Sequence, residues 1–203
     1  GFLIGAISVP QLAAHQIALQ CAAVTFMVPL GLAQAATVRV GLAVGRQDPQ
    51  SVRRAGTGAL IIGSAFMFAM ALVMWTVPRA IVGLFIDAAD PINHQVVQAA
   101  VTFLAVAALF QIFDGGQVIG AGALRGLKDT RWPMVFAGIA YWLVGMVLAV
   151  GLGIGLGLGG FGVWLGLASG LAVAAGLMIG RFYLLQARFQ LQLAPLAASG
   201  GMA

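Results

Sequence analysis

The basic residues of this chain sit in short turns between long apolar runs, and that pattern restricts the fold more than any single motif does. No Asp, Glu, Lys or Arg falls between Arg54 and Arg79, or anywhere from Trp132 to Gly180. Hydrophobic residues make up 62% of the chain and charged ones 7%, with a mean hydropathy of +1.05. Ordinary soluble domains run about 45–50% apolar and about 25% charged. A soluble protein of 203 residues could not cover its surface with so few charges. Most of the surface must face lipid, and the fold class is an all-α membrane protein, a polytopic helical bundle.

Five complete spans are expected, preceded by the tail of another. Residues 1–8 read as that tail, because Gly1 is no initiator methionine and no signal-peptide pattern opens the chain. The first span is expected over 12–40, bent at Pro29, which removes a backbone donor and crowds the preceding turn. Asp48-Pro49 is a helix start, an Asp cap with Pro at the first helical position, ahead of a span over 55–77 that Pro78 stops. Residues 79–86 are too short to cross and are expected to lie along the interface. Asp90-Pro91 repeats the start signal before a third span, 96–123. Thr130 or Asp129 is placed to cap a fourth, 132–154, and a glycine-rich turn leads to a fifth, 161–185. Residues 1–188 thus read as one transmembrane domain, with 189–203 a small-residue-rich, disordered tail.

Charge supports this count. If the turns alternate sides, nine of the ten cations fall on one side: Arg39, Arg46, Arg53, Arg54, Arg125, Lys128, Arg131, Arg181 and Arg188. Arg79 alone falls on the other. Such asymmetry marks the cytoplasmic face, which puts the C-terminus inside. It also explains the net charge of +5 as membrane topology, so no nucleic-acid partner is expected. Cys21 offers neither a disulfide framework nor a metal site, and His15 and His94 lack partners at metal-ligand spacing.

Gly162, Gly166 and Gly170 share one face of the fifth span, as Gly116 and Gly120 share one face of the third. Such faces let helix backbones approach closely in lipid. The run 151–162 contains Gly155-x-Gly157-x-x-Gly160, but apolar spans flank it and no acid follows, so it reads as a tight extracytoplasmic turn and not as a nucleotide loop. Gln16, Gln20 and Gln34 fall within about 80° of one another on the first span. They read either as interhelical hydrogen bonders or as the polar wall of a cavity.

The acids sort by context. Asp48 and Asp90 are caps, Asp129 sits in a basic turn and Asp87 in an outer loop. Asp114 remains, roughly three helical turns inside its span. A carboxylate at that depth costs at least a few kcal/mol unless it faces a cavity, pairs with a cation or takes a proton. Gln111 and Gln117 lie a near-turn to either side, with Phe110 on almost the same face. Asp114 therefore reads as a cation or proton site in a transport pathway, or else as a protonated acid tying helices together. No Ser/His/Asp or paired-carboxylate arrangement suggests an enzyme.

The stretches LAAHQIALQ and FMVPLGLAQAATVRVG within 12–41, AALFQIFDGGQVIGAGALRGLKDT over 107–130, and the GxWLG of the last span closely resemble the second half of NorM-type multidrug and toxic compound extrusion (MATE) transporters. The likeness covers essentially the whole chain. It implies a fold of two six-helix lobes, of which this chain supplies the C-terminal one, and antiport of lipophilic, cationic drugs and toxic compounds against Na⁺ or H⁺ in a bacterial inner membrane, with no cofactor. It makes Asp114 the coupling carboxylate, with Na⁺ as the one metal ion it would meet. Phe110, Gln111, Gln117 and Gln34 become candidate cavity neighbours, and Pro29, Gly115 and Gly116 candidate bending points. Relatives often carry a tyrosine where this chain has Phe110, and the family's second acid, on the seventh helix, would lie before Gly1. The alternative within the same broad superfamily is a flippase for a lipid-linked precursor. That activity calls for a strongly basic central cavity, and the spans hold no Arg or Lys at membrane depth.

Overall fold

The computed structural model describes residues 9–87 and 90–199. The described chain is helical, with no strand. We label its helices α1 (Val9–Gly45), α2 (Pro49–Thr76), the short α3 (Pro78–Gly83), α4 (His94–Gly126), α5 (Arg131–Gly155) and α6 (Gly159–Ser199). Five of these, all but α3, are long and apolar enough to cross a membrane. α5 is not uniform: π-helical winding over Ile139–Met146 and Gly151–Gly155 interrupts the α-helix. The expected tail of a preceding helix, residues 1–8, lies outside the described residues.

The Asp-Pro signals act as expected. Asp48 accepts from the Ser51 backbone N–H at 3.0 Å and from the Ser51 hydroxyl, with Pro49 at the first position of α2. Those bonds, the hydroxyl's above all, hold the Asp48 carboxyl below its ordinary pKa. A depressed carboxyl stabilises the fold above its unfolded pKa, about 3.9, and loses that contribution as pH falls through its lower folded value. Asp48→Ala should therefore lower the unfolding temperature at pH 7, and the gap to the parent should close near pH 3. Asp90 accepts from the Ile92 N–H at 3.0 Å, but it caps a 3₁₀ turn, Pro91–Asn93, before α4 begins.

Three expectations change. Thr130 precedes α5 but makes no side-chain cap bond, and Asp129 instead pairs with Arg181 across from α6. Arg181 also stacks 4.6 Å over the Trp132 ring, so the acid serves a tie between helices. α1 runs past residue 40 because nothing breaks it before Gly45, after which Gln47 turns the chain in the left-handed region at φ 55°. α6 runs past 185, so residues 189–199 are helical and not irregular: Ala187-Arg-Phe-Gln-Leu-Gln-Leu-Ala194 favours helix at nearly every position.

α4 is the central helix, packed most extensively against α1, then α6 and α2, while α5 lies outside against α6. Ala14, Ile17 and Ala18 of α1 and Trp164 of α6 pack with Val97–Ala108 of α4, and Val40 of α1 and Phe182 of α6 pack with Ala123 and Leu124. α1, α4 and α6 therefore run parallel, with α2 and α5 returning. The nine cations gather at one end, as the alternation of turns requires.

Small residues set the closest approaches. Cβ atoms on Gly162, Gly166 and Gly170 would each run into the α5 backbone, at Leu152, Ala149 and Ala140. Gly120 lies against Met178 and Ile179 of α6, with Gly116 a little farther off. A further pair, Gly122 and Gly126, makes the α1–α4 contact. A Cβ on Gly122 would lie 2.5 Å from the Ala33 carbonyl oxygen, and Thr37 donates its hydroxyl to the Gly122 carbonyl at 2.8 Å.

Candidate functional site

Asp114 lies near the middle of α4, on the most central helix of the bundle. At 3.6 residues per turn, Gln111 and Gln117 project about 60° to either side of it. The structure uses these flanks to reach different neighbours. Gln111, 1% exposed, accepts at Oε1 from the Thr25 hydroxyl of α1 at 2.8 Å. Gln117 accepts at Oε1 from the Tyr141 hydroxyl of α5 at 2.7 Å. One turn earlier, Phe110 packs edge-on against Trp164 of α6, with ring centroids 5.5 Å apart. Asp114 thus sits where ties to three helices converge.

The acid itself is half-buried and makes no hydrogen bond or ion pair among the described residues. Tyr141 is close enough to it to interact electrostatically. An unpaired carboxylate at this depth is costly to ionise. A monovalent cation or a proton bound to it removes that cost. Groups of three or more His, Cys, Asp or Glu that could hold a metal are absent among the described residues.

Outward from Asp114 the interior is more polar than the apolar sequence suggests. His15 packs edge-on against Trp164 at 5.5 Å and Phe103 at 6.5 Å. His15 Nδ1, Trp164 Nε1 and Gln111 Nε2 are buried without a hydrogen-bond partner among the described residues. Buried polar atoms are rarely left so, and their grouping in the half of the lobe beyond Asp114 sets it apart from the rest of the interior.

The other expected residues divide. Pro29 is fully buried within α1, where its missing N–H releases the Thr25 carbonyl four residues back. The break in the α1 ladder therefore falls at the residue that holds Gln111. Gly115 admits Met67 of α2, whose Cγ would be 2.7 Å from an added Cβ, and α4 runs unbroken through Gly115 and Gly116. Both are packing positions in this conformation. Gln16, Gln20 and Gln34 are exposed on α1 and make no hydrogen bond among the described residues, so they form a polar face that the helices of this lobe do not cover.

Tyr141, Thr25 and Trp164 were not picked out from the sequence as site residues. Tyr141 stands 27 positions from Asp114 on another span, and no spacing rule says that the two spans meet there. Its hydroxyl, the one side-chain oxygen between Trp132 and Gly155, was the one signal available. The pairing can be measured: a double-mutant cycle of Tyr141→Phe and Gln117→Leu should give a coupling of about 1 kcal/mol in unfolding free energy, with the single variants folded. A coupling near zero would mean that the two side chains do not hold α5 to α4.

The MatE family model matches residues 1–151. The "Probable multidrug resistance protein NorM" of Mesorhizobium japonicum is 53% identical over 180 residues, 89% of this chain and 38% of the relative. The "Multidrug resistance protein NorM" of Burkholderia vietnamiensis is 50% identical over 91% of this chain and 40% of its own length. The chain thus spans about two fifths of the curated relatives it matches. Among solved structures, the eukaryotic MATE transporter AtDTX14 superposes with a TM-score of 0.74 at 21% identity, over 89% of this chain and 41% of that one. At that identity the match speaks for the fold.

Proposed function

This chain belongs to the MatE family, and we propose that it forms the C-terminal lobe, residues 1–188, of a cation-coupled antiporter that exports lipophilic, cationic drugs and toxic compounds. Members of the family are transporters and not enzymes. The observation that carries the proposal is Asp114: a half-buried carboxylate at mid-depth of the central helix, without an ion-pair partner among the described residues, between two glutamines that each hold a neighbouring helix.

In this reading Na⁺ or H⁺ binds at Asp114 from one side and neutralises it. Coupling requires that cation and substrate bind the two arrangements of the lobes with different affinity. Charge on Asp114 bears on such a choice because the flanking ties run to α1, α5 and α6. Pro29 is the bending point the packing favours, since a ladder break at Thr25 lies one hydrogen bond from Gln111. Gln34 on the exposed face of α1 is a cavity-wall candidate toward the N-terminal lobe. The basic end of the bundle, with the C-terminus, faces the cytoplasm of a bacterial inner membrane.

Proteoliposomes holding the full-length protein and a lipophilic cationic dye test the reading. An imposed inward Na⁺ or H⁺ gradient should drive dye out, and collapsing the gradient should stop it. Movement of a lipid-linked pyrophosphate with no dye extrusion would favour the flippase alternative.

A further inference from the structure

Two grooves lie at the basic end of the bundle and share Arg54, one of about 470 Å³ between α1 and α2 and one of about 490 Å³ between α2 and α6. Arg39, Arg46 and Arg54 line the first, with Ser51 and Leu42, and Arg53 joins Arg54 in the second. All four arginines are exposed, and none forms a salt bridge among the described residues. The one carboxylate nearby, Asp48, is hydrogen-bonded to Ser51 and interacts with Arg54 only through space, without a salt bridge. The positive-inside rule accounts for cations at this end of the bundle, but not for guanidinium groups from two helices converging on one groove.

The wall beside the groove is apolar and open. Leu42 is 56% exposed and lines it, and Ile61 of α2 is 64% exposed two turns from Arg54 on the same helix face. Guanidinium groups bind phosphate oxygens through paired N–H donors. A soluble phosphate would use the arginines and gain nothing from Leu42 and Ile61. An amphiphile uses both. We propose that this groove binds the phosphate headgroup of an anionic phospholipid, with Arg39, Arg46 and Arg54 on the phosphate and an acyl chain along Ile61 of α2. The proposal goes beyond the transport reading and does not rest on it.

Native mass spectrometry of the full-length protein, titrated with phosphatidylglycerol, cardiolipin or phosphatidylcholine, tests it directly. Basic residues near a membrane contribute roughly fivefold each to anionic-lipid affinity. The combined R39Q/R46Q/R54Q variant should therefore lose on the order of a hundredfold in affinity for the two anionic lipids. Its weak binding of phosphatidylcholine should not change, and R79Q, at the opposite end of the bundle, should match the parent. Anionic-lipid binding by the triple variant equal to the parent's overturns the proposal. So does displacement of the lipid by millimolar inorganic phosphate, which would make the groove a site for soluble phosphate. If the triple variant does not fold, R46Q and R54Q singly carry the test, and unchanged affinity in both overturns it.

Discussion

Asp114→Asn in the full-length protein should abolish gradient-driven efflux, a loss of about a hundredfold or more, while expression and folding stay intact. The substitution keeps volume and hydrogen-bonding capacity but removes the group that binds a cation or exchanges a proton. Since no partner among the described residues depends on the carboxylate, nothing is orphaned by the change. Removing an unpaired ionisable group from membrane depth should if anything raise the unfolding temperature. A loss of transport through misfolding would lower it, so the two measurements together separate the causes. Asp114→Glu should keep part of the activity. Efflux at the parent rate in Asp114→Asn would sink the coupling role. Leucine at 114 with full transport would mark the position as merely structural.

The largest effect on stability is expected at the α1–α4 crossing. Gly122→Leu would put a branched side chain where even a Cβ meets the backbone of Ala33, at 2.5 Å from its oxygen and 2.9 Å from its Cα. Backbone cannot move aside as a flexible side chain can, so the helices must separate. Separation breaks the Thr37 hydroxyl bond to the Gly122 carbonyl and opens the packing of Val40 against Leu124. Overpacking of this kind costs about 1–3 kcal/mol, and the lost contacts add to it. Gly138→Leu provides the control, since a Cβ there meets nothing within 4 Å. Thermal unfolding in detergent should drop sharply for the first and barely for the second. Equal midpoints would mean that α1 and α4 do not meet as closely as described.

Much of the architecture was readable because its signals are local. Asp48-Pro49 and Asp90-Pro91 start helical segments for reasons contained in a few residues: an acceptor for a free N–H, and a ring that needs no donor. The Gly162, Gly166, Gly170 face follows from helical periodicity, and it meets α5 as such a face should. Where a reading failed, a distant residue decided. Asp129 looked like a cap until Arg181, 52 positions away, was found to hold it. Gln34 and Gln111 are both glutamines within apolar spans, yet one is exposed and the other is buried against Thr25. No local pattern separates them.

The same division holds for the site. That Asp114 would be the exceptional acid followed from sequence alone, because a charge in a long apolar run is costly wherever its helix packs. What surrounds it did not follow. Tyr141 on Gln117, Thr25 on Gln111 and Trp164 on Phe110 arise from crossings between helices far apart in the chain. Burial cost belongs to a segment and can be read along it. The choice of which polar atoms share that burial depends on helix rotation and separation, here set by glycines such as Gly122 and Gly166 pressed against a neighbour's backbone, and only the folded lobe fixes those.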